Sequence, residues 1–168
     1  MKYPKLFPAF ALIGLFGTLW HFVYEWSGEN KIAAAFFPVN ESTWEHLKLL
    51  FFPALIYFVI EYFLLKDKPE NYIAASALGL TAGLFSIITL FYTYSGILGF
   101  NVSVVDIAIF FISLALTLYI RRIIIRNQAF SSKTACIVSV FLILILTVLF
   151  VIWSFYPPSL GLFTPPAV

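Results

Sequence analysis

Five long apolar stretches divide the chain, with short polar segments between them. Each has about the 20 apolar residues that a helix needs to cross a bilayer, and glycine, proline and charged residues mark the breaks. The stretches cover residues 6–26, 44–65, 72–94, 104–120 and 134–156. The pattern predicts an all-α, polytopic integral membrane helix bundle with five transmembrane helices, forming a single transmembrane domain over residues 1–168.

The composition excludes an ordinary soluble domain. Hydrophobic residues make up 62% of the 168-residue chain, charged residues make up 11%, and the mean hydropathy is +0.98, whereas a soluble domain carries roughly 25% charged residues. The net charge of +2 and the lack of a basic stripe argue against a nucleic-acid partner. The predicted partner is the lipid bilayer, and homo-oligomers are left open.

The distribution of lysine and arginine predicts the orientation, because short cytoplasmic loops are enriched in these residues. Eight of the ten basic residues fall on one side of the five predicted spans: Lys2, Lys5, Lys66, Lys68, Arg121, Arg122, Arg126 and Lys133. The N-terminus is therefore predicted inside and the C-terminus outside a plasma membrane. Residues 32–39 are apolar but too short to cross, and we interpret them as an interfacial or re-entrant segment.

Polar and ionisable side chains gather near the predicted outer ends of the spans. Ionisable groups at membrane depth are costly unless they are paired or hydrated, so their concentration at one level predicts a functional site. The candidates are His21, Glu25, Asn40, Glu41, Ser42, Glu45, His46, Lys48, Tyr92, Tyr94 and Asp106. Part of this polarity is structural, because Ser42 and Glu45 fit the S-x-x-E capping box at the start of a helix.

Four of these candidates are the predicted ligands of a divalent metal ion: His21, Glu25, Glu45 and His46. The first two lie four residues apart and therefore share one face of a helix. Histidine with carboxylate suits zinc, iron or manganese, and in this interpretation Glu41 or Asp106 either is a further ligand or supports the ligands from behind. The sequence has no HExxH or other strict metal motif, and no residues for another cofactor are predicted.

Three strings of the sequence resemble a known family. They are Gly17-Thr-Leu-Trp-His21-Phe-Val-Tyr-Glu25-Trp-Ser-Gly28, Phe37-Pro-Val-Asn-Glu41-Ser-Thr-Trp-Glu45-His46-Leu-Lys48-Leu-Leu-Phe-Phe-Pro53 and Phe91-Tyr-Thr-Tyr-Ser-Gly-Ile-Leu-Gly99. The chain, over most of its length through the fourth predicted span, resembles a domain-of-unknown-function family of small multi-pass bacterial membrane proteins. The resemblance implies a prokaryotic plasma-membrane protein and brings no established activity.

Three functions fit the predicted site. The first is ion- or proton-coupled transport of a small solute, in which Glu61 would continue a path from the outer residues. The second is a metal-dependent intramembrane hydrolase that acts on a lipid-like substrate, with Glu41, Glu45 and Lys48 as catalytic candidates. The third is a non-catalytic subunit of a membrane complex. The same residues would also suit a hydrogen-bonded cluster that fixes helix packing, and among the functions the sequence favours transport.

Overall fold

The computed structural model describes residues 6–166, and over that range the chain is helical, with no strand. It forms seven α-helices there, followed by a 3-10 turn at Gly161–Phe163. The helices are α1 (Leu6–Trp20), α2 (Val23–Trp26), α3 (Lys31–Phe36), α4 (Thr43–Leu64), α5 (Tyr72–Leu98), α6 (Ser103–Arg126) and α7 (Lys133–Phe155).

Four of the described helices, α4 to α7, are long and apolar enough to cross a membrane. α1 is shorter, with 15 residues, because the helix predicted over residues 6–26 breaks after Trp20. The chain turns at His21 and Phe22 and resumes as α2. α1 packs against α4 and α6, so it belongs to the same bundle as the long helices.

The apolar segment predicted over residues 32–39 forms α3 and the extended stretch after it. The side chain of Asn30 accepts a hydrogen bond from the Ile32 backbone N–H at 2.8 Å and caps the helix. α3 has six residues, too few to cross a bilayer, and it packs against α7. The Trp20 indole donates to the Phe36 carbonyl oxygen at 3.0 Å, which holds the end of α3 beside the break after α1.

Two helices extend beyond their predicted ends. α6 continues from Ile120 to Arg126, because Arg121 is 2% exposed and packs inside the bundle instead of lying in a loop. α5 continues to Leu98 and ends at Gly99. The φ angle of this glycine is 80°, in the left-handed region that commonly ends helices and that glycine adopts without strain.

Glycines of α1 and α5 allow neighbouring helices to approach closely. A Cβ atom added at Gly79 of α5 would lie 2.7 Å from the Thr117 carbonyl oxygen of α6. A Cβ atom at Gly17 of α1 would lie 2.6 Å from the Leu49 carbonyl oxygen of α4. A larger side chain at either position would therefore push two helices apart.

The bundle has two polar ends separated by an apolar core. We call one the histidine end, which contains the α1–α2 junction, the loop before α4 and the start of α6. The other is the basic end, which contains the end of α4, the start of α5 and the α6–α7 loop. Between them α4 contributes core side chains that are at most 3% exposed: Leu47, Leu50, Phe51, Ala54 and Phe58.

Candidate functional site

The histidine end brings together three side chains from separate segments. His21 lies at the α1–α2 junction, Glu41 in the loop before α4, and His46 in the first turn of α4. The His21 Nε2 atom is 3.6 Å from Glu41 Oε1, and the His46 Nε2 atom is 3.3 Å from Glu41 Oε2. One ligand atom from each residue lies within 4.8 Å of the other two. We refer to His21, Glu41 and His46 as the two-histidine site.

The start of α4 orients the site. The Asn40 side chain accepts from the Ser42 backbone N–H at 2.9 Å, and Ser42 caps α4 by accepting from the Glu45 backbone N–H at 3.4 Å. One turn into the helix, His46 Nδ1 lies 3.0 Å from the Ser42 carbonyl oxygen. A carbonyl oxygen can only accept, so Nδ1 carries a proton. In the neutral imidazole the lone pair is then on Nε2, the atom that faces Glu41.

The spacing of these atoms suits a first-row metal ion. Zinc binds nitrogen and carboxylate oxygen at about 2.0–2.1 Å in a tetrahedron, which puts neighbouring ligand atoms about 3.4 Å apart. The two nitrogen–oxygen separations, 3.6 Å from His21 to Oε1 and 3.3 Å from His46 to Oε2, are close to that value, although each runs to a different oxygen of Glu41. Metal-bound histidine usually donates its other N–H to a carbonyl or carboxylate, as His46 does to Ser42. Two imidazoles and one carboxylate form a donor set used for zinc and for non-haem iron.

Glu41 supplies negative charge to the site at neutral pH. When His46 is protonated on both ring nitrogens, its Nε2–H donates to Glu41 and holds the pKa of Glu41 below its ordinary value of 4.5, against partial burial, which raises it. The Glu41 side chain is 66% exposed, while those of His21 and His46 are 33% and 32% exposed. The site is therefore most open to solvent at its carboxylate.

Two of the four predicted metal ligands lie outside this group. Glu25 is exposed on α2, and among the described residues the metal-sized cluster consists of the two-histidine site without it. Glu45 is turned into the bundle, where its side chain is 3% exposed and its Oε2 atom lies 2.7 Å from Lys48 Nζ. Glu41, predicted as a further ligand, occupies the central position between the two imidazoles.

Glu45 and Lys48 form a buried ion pair that ties α3 and α7 to α4. The Lys48 ammonium donates to the carbonyl oxygens of Ala34 and Phe37 at 3.0 and 3.2 Å. It also contacts Ser154 Oγ of α7 at 2.5 Å. Since Lys48 is fully buried and its donors are all engaged, these two predicted catalytic candidates stabilise the fold at this position.

Asp106 and Tyr94 form a separate polar cluster at the histidine end. The Tyr94 hydroxyl donates to Asp106 and accepts from the Val102 backbone N–H at 3.0 Å. Asn101 donates to the second carboxylate oxygen of Asp106 at 3.4 Å. These bonds join the end of α5 to the start of α6, and Tyr92, 42% exposed, lies outside them.

The basic end contains a second buried ion pair, which sequence reasoning missed. Arg121 Nη2 lies 2.5 Å from Glu61 Oε2, and Arg121 Nε donates to Ser76 Oγ at 3.0 Å. The Tyr72 hydroxyl donates to the same Glu61 oxygen at 2.8 Å. The guanidinium carbon lies 4.2 Å from the Phe58 ring centroid and 4.6 Å from that of Tyr72. In the sequence, Glu61 and Arg121 lie near the same predicted end of two different spans. Opposite charges at membrane depth are usually paired, so this position was the available signal.

The chain belongs to the Family of unknown function (DUF6512), which it matches over residues 4–167. This confirms the resemblance to a family of unknown function. No curated protein and no solved structure matches the chain. The family carries no activity that could be transferred, so the function is argued from the geometry of the site.

Proposed function

We propose that the chain is a plasma-membrane protein that binds a divalent metal ion at the outer face through the two-histidine site. One observation carries the proposal: two imidazole nitrogens, from segments far apart in sequence, lie 3.6 and 3.3 Å from the oxygens of one carboxylate. The His46 tautomer set by the Ser42 carbonyl leaves Nε2 free to bind. The donor set favours zinc or iron(II), with manganese as the third metal to test.

The proposed architecture has five spans. α4 to α7 are long enough to cross, and α1 followed by α2 supplies residues 6–26 for the remaining span. The packing of α1 against α4 and α6 supports this count. An odd number of spans places the two termini on opposite sides of the membrane.

The charge distribution supports an orientation with the histidine end outside. Arg121 is neutralised by Glu61, but the remaining basic residues of the basic end outnumber its acids Asp67 and Glu70. They are Lys66, Lys68, Arg122, Arg126 and Lys133. Short loops rich in lysine and arginine stay cytoplasmic, so the N-terminus is inside and the C-terminus outside in this proposal.

The packing gives more support to chemistry at one face than to a path across the membrane. The buried core side chains of α4 separate the two-histidine site from Glu61, and Glu61 is paired with Arg121. Ion- or proton-coupled transport, which the sequence favours, would require this core to open. We therefore place metal binding at the outer face first and transport second.

The geometry also supports a reaction class. The site offers three protein ligands, and tetrahedral zinc takes four, so one position is free for water or substrate. A metal ion bound there would supply Lewis-acid chemistry. Two exposed aromatic side chains extend from His21, Phe22 at 42% and Trp26 at 67% exposure, which suits a lipid-like substrate. A metal-dependent hydrolase is thus the enzyme activity to test first.

Elemental mass spectrometry of the detergent-purified protein tests the proposal. We expect one metal ion per chain in the wild type and in Glu25→Gln, the matched control because Glu25 is an exposed acid at the same end outside the cluster. His21→Ala and His46→Ala should each lower metal affinity by at least about tenfold. A correctly folded wild type that stays metal-free after incubation with zinc, iron(II) and manganese would overturn metal binding.

Uptake of radioactive zinc into liposomes that contain the protein distinguishes metal binding at the outer face from transport across the membrane. Zinc binding without uptake supports binding at the outer face. Uptake that depends on His46 would make transport the function instead.

A further inference from the structure

We propose that a groove between α4, α5 and α7 at the basic end binds one acyl chain of an anionic phospholipid. The groove has a volume of about 330 Å³. Apolar and aromatic side chains line it, among them Leu55, Tyr62, Phe63, Val140 and Leu144. This site is separate from the two-histidine site and does not depend on metal binding.

The groove has the direction and the opening that an acyl chain requires. On α4 it extends from Leu55 to Phe63, a rise of about 12 Å, which is less than half of the ~30 Å hydrocarbon core. Phe63 is 74% exposed and Leu144 of α7 is 53% exposed, so the groove opens sideways toward the bilayer. A chain from the leaflet at the basic end can enter without leaving the membrane.

The inner wall of the groove connects the bound acyl chain to the buried Glu61–Arg121 ion pair. Tyr72 and Ser76 line the groove, and they also hold the buried ion pair, Tyr72 through Glu61 and Ser76 through Arg121. An acyl chain over this floor would exclude water, and hydrogen bonds between charged groups are stronger in a low dielectric. Lipid binding should therefore stabilise the ion pair, whereas a polar solute would compete with it.

Lys68 supplies the preference for an anionic head group. Its ammonium lies 5.2 Å from the ring centroid of Tyr62, which lines the groove. Asp67 and Glu70 are in the same loop, so the preference depends on the position of this one ammonium and not on the net charge of the loop. One lysine near a membrane surface favours anionic lipid by about fivefold.

Native mass spectrometry with added lipid tests occupancy of the groove. Val140→Phe adds bulk at a rim residue that is 41% exposed, and Val148→Phe is the matched control on the same helix at 51% exposure outside the groove. We expect one retained phosphatidylglycerol in the wild type and in Val148→Phe, and at least tenfold weaker retention in Val140→Phe. Equal retention by both variants would overturn the site. If Val140→Phe does not fold, Leu144→Trp at the same rim replaces it, with the same expected loss.

Comparison of phosphatidylglycerol with phosphatidylcholine tests the head-group preference. We expect the wild type to prefer phosphatidylglycerol, and Lys68→Gln to lose about fivefold of that preference. Lys133→Gln, at the same end but outside the groove lining, should keep it. Equal binding of the two lipids by the wild type would overturn the anionic part of the proposal.

Discussion

Replacing Lys48 with methionine tests whether the buried ion pair organises the histidine end. Lys48 is fully buried and the Glu45 side chain is 3% exposed. The ammonium is surrounded by four oxygen atoms, those of Glu45, Ser154, Ala34 and Phe37. Methionine fills a similar volume but donates no hydrogen bond, so the change removes the charge and leaves the packing nearly intact.

The expected cost follows from what remains around Glu45. In the variant its carboxylate keeps the Val39 backbone N–H at 3.0 Å as a donor, and it shares the single Ser154 hydroxyl proton, at 3.2 Å, with the Phe150 carbonyl oxygen at 2.7 Å. No positive charge remains beside it. Removing one partner of a buried ion pair costs about 3–5 kcal/mol, and the two carbonyl oxygens at the end of α3 also lose their donor. We expect Lys48→Met to lower the free energy of unfolding by about 4 kcal/mol.

Reversible unfolding in SDS, followed by tryptophan fluorescence, measures this cost. Lys31→Met is the matched control, because Lys31 is exposed at the same end and such changes stay within about 0.5 kcal/mol. Adding Glu45→Gln to Lys48→Met should recover part of the stability, because no buried charge is then left unpaired. Equal free energies of unfolding for Lys48→Met and Lys31→Met would refute the reasoning.

Arg121→Met should lower the free energy of unfolding by about 3–5 kcal/mol, because it leaves Glu61 without its partner. Arg122→Met, which lies outside the buried ion pair, should change the free energy of unfolding far less. Equal effects of the two substitutions would contradict the pairing. Gly79→Leu should lower the free energy of unfolding by about 1–3 kcal/mol through overpacking against α6. Gly96→Leu should lower it much less, because a Cβ atom there has nothing within 4 Å. Thermal unfolding of the two variants compares these costs. Acid should release the metal before it protonates Glu41, because imidazole binds metal only when neutral, whereas the lowered pKa of Glu41 keeps its carboxylate ionised above pH 4.5. Once His46 is protonated it donates to this carboxylate, and the stabilising hydrogen bond is lost only as the pH falls through the lowered pKa of Glu41. Elemental analysis at pH 7 and pH 5 checks this, and full metal retention at pH 5 would contradict it.

Hydropathy predicts the helical architecture because apolar runs of span length have few alternatives to a helix. Over residues 6–166 the structure confirms an all-helical fold with long apolar helices. Hydropathy does not predict where tertiary contacts move the helix ends. Arg121 looks like a loop residue in sequence, yet α6 continues through it because Glu61 and Ser76 satisfy the guanidinium. Asn71 is similar: it is 2% exposed and donates to two carbonyl oxygens at the end of α6 and beyond, contacts with no local sequence signal.

The position of the ionisable residues at one level predicts that His21 and His46 lie near each other, and their ring centroids are 5.3 Å apart in the structure. The sequence predicts Glu45 and His46 as ligands of one ion, but neighbouring residues on a helix point about 100° apart, and Glu45 faces Lys48 inside the bundle. Glu41 precedes the helix, where the turn made by Asn40 sets its position, and helical periodicity says nothing about such a residue.

X-ray absorption spectroscopy of the protein loaded with one equivalent of zinc tests the metal site most directly. We predict two imidazole nitrogens and at least one oxygen, all at about 2.0–2.2 Å, with one imidazole lost in His46→Ala and both retained in Glu25→Gln. A shell of oxygen atoms without imidazole, or a spectrum unchanged by His46→Ala, would contradict the assignment of His21, Glu41 and His46 as a metal site.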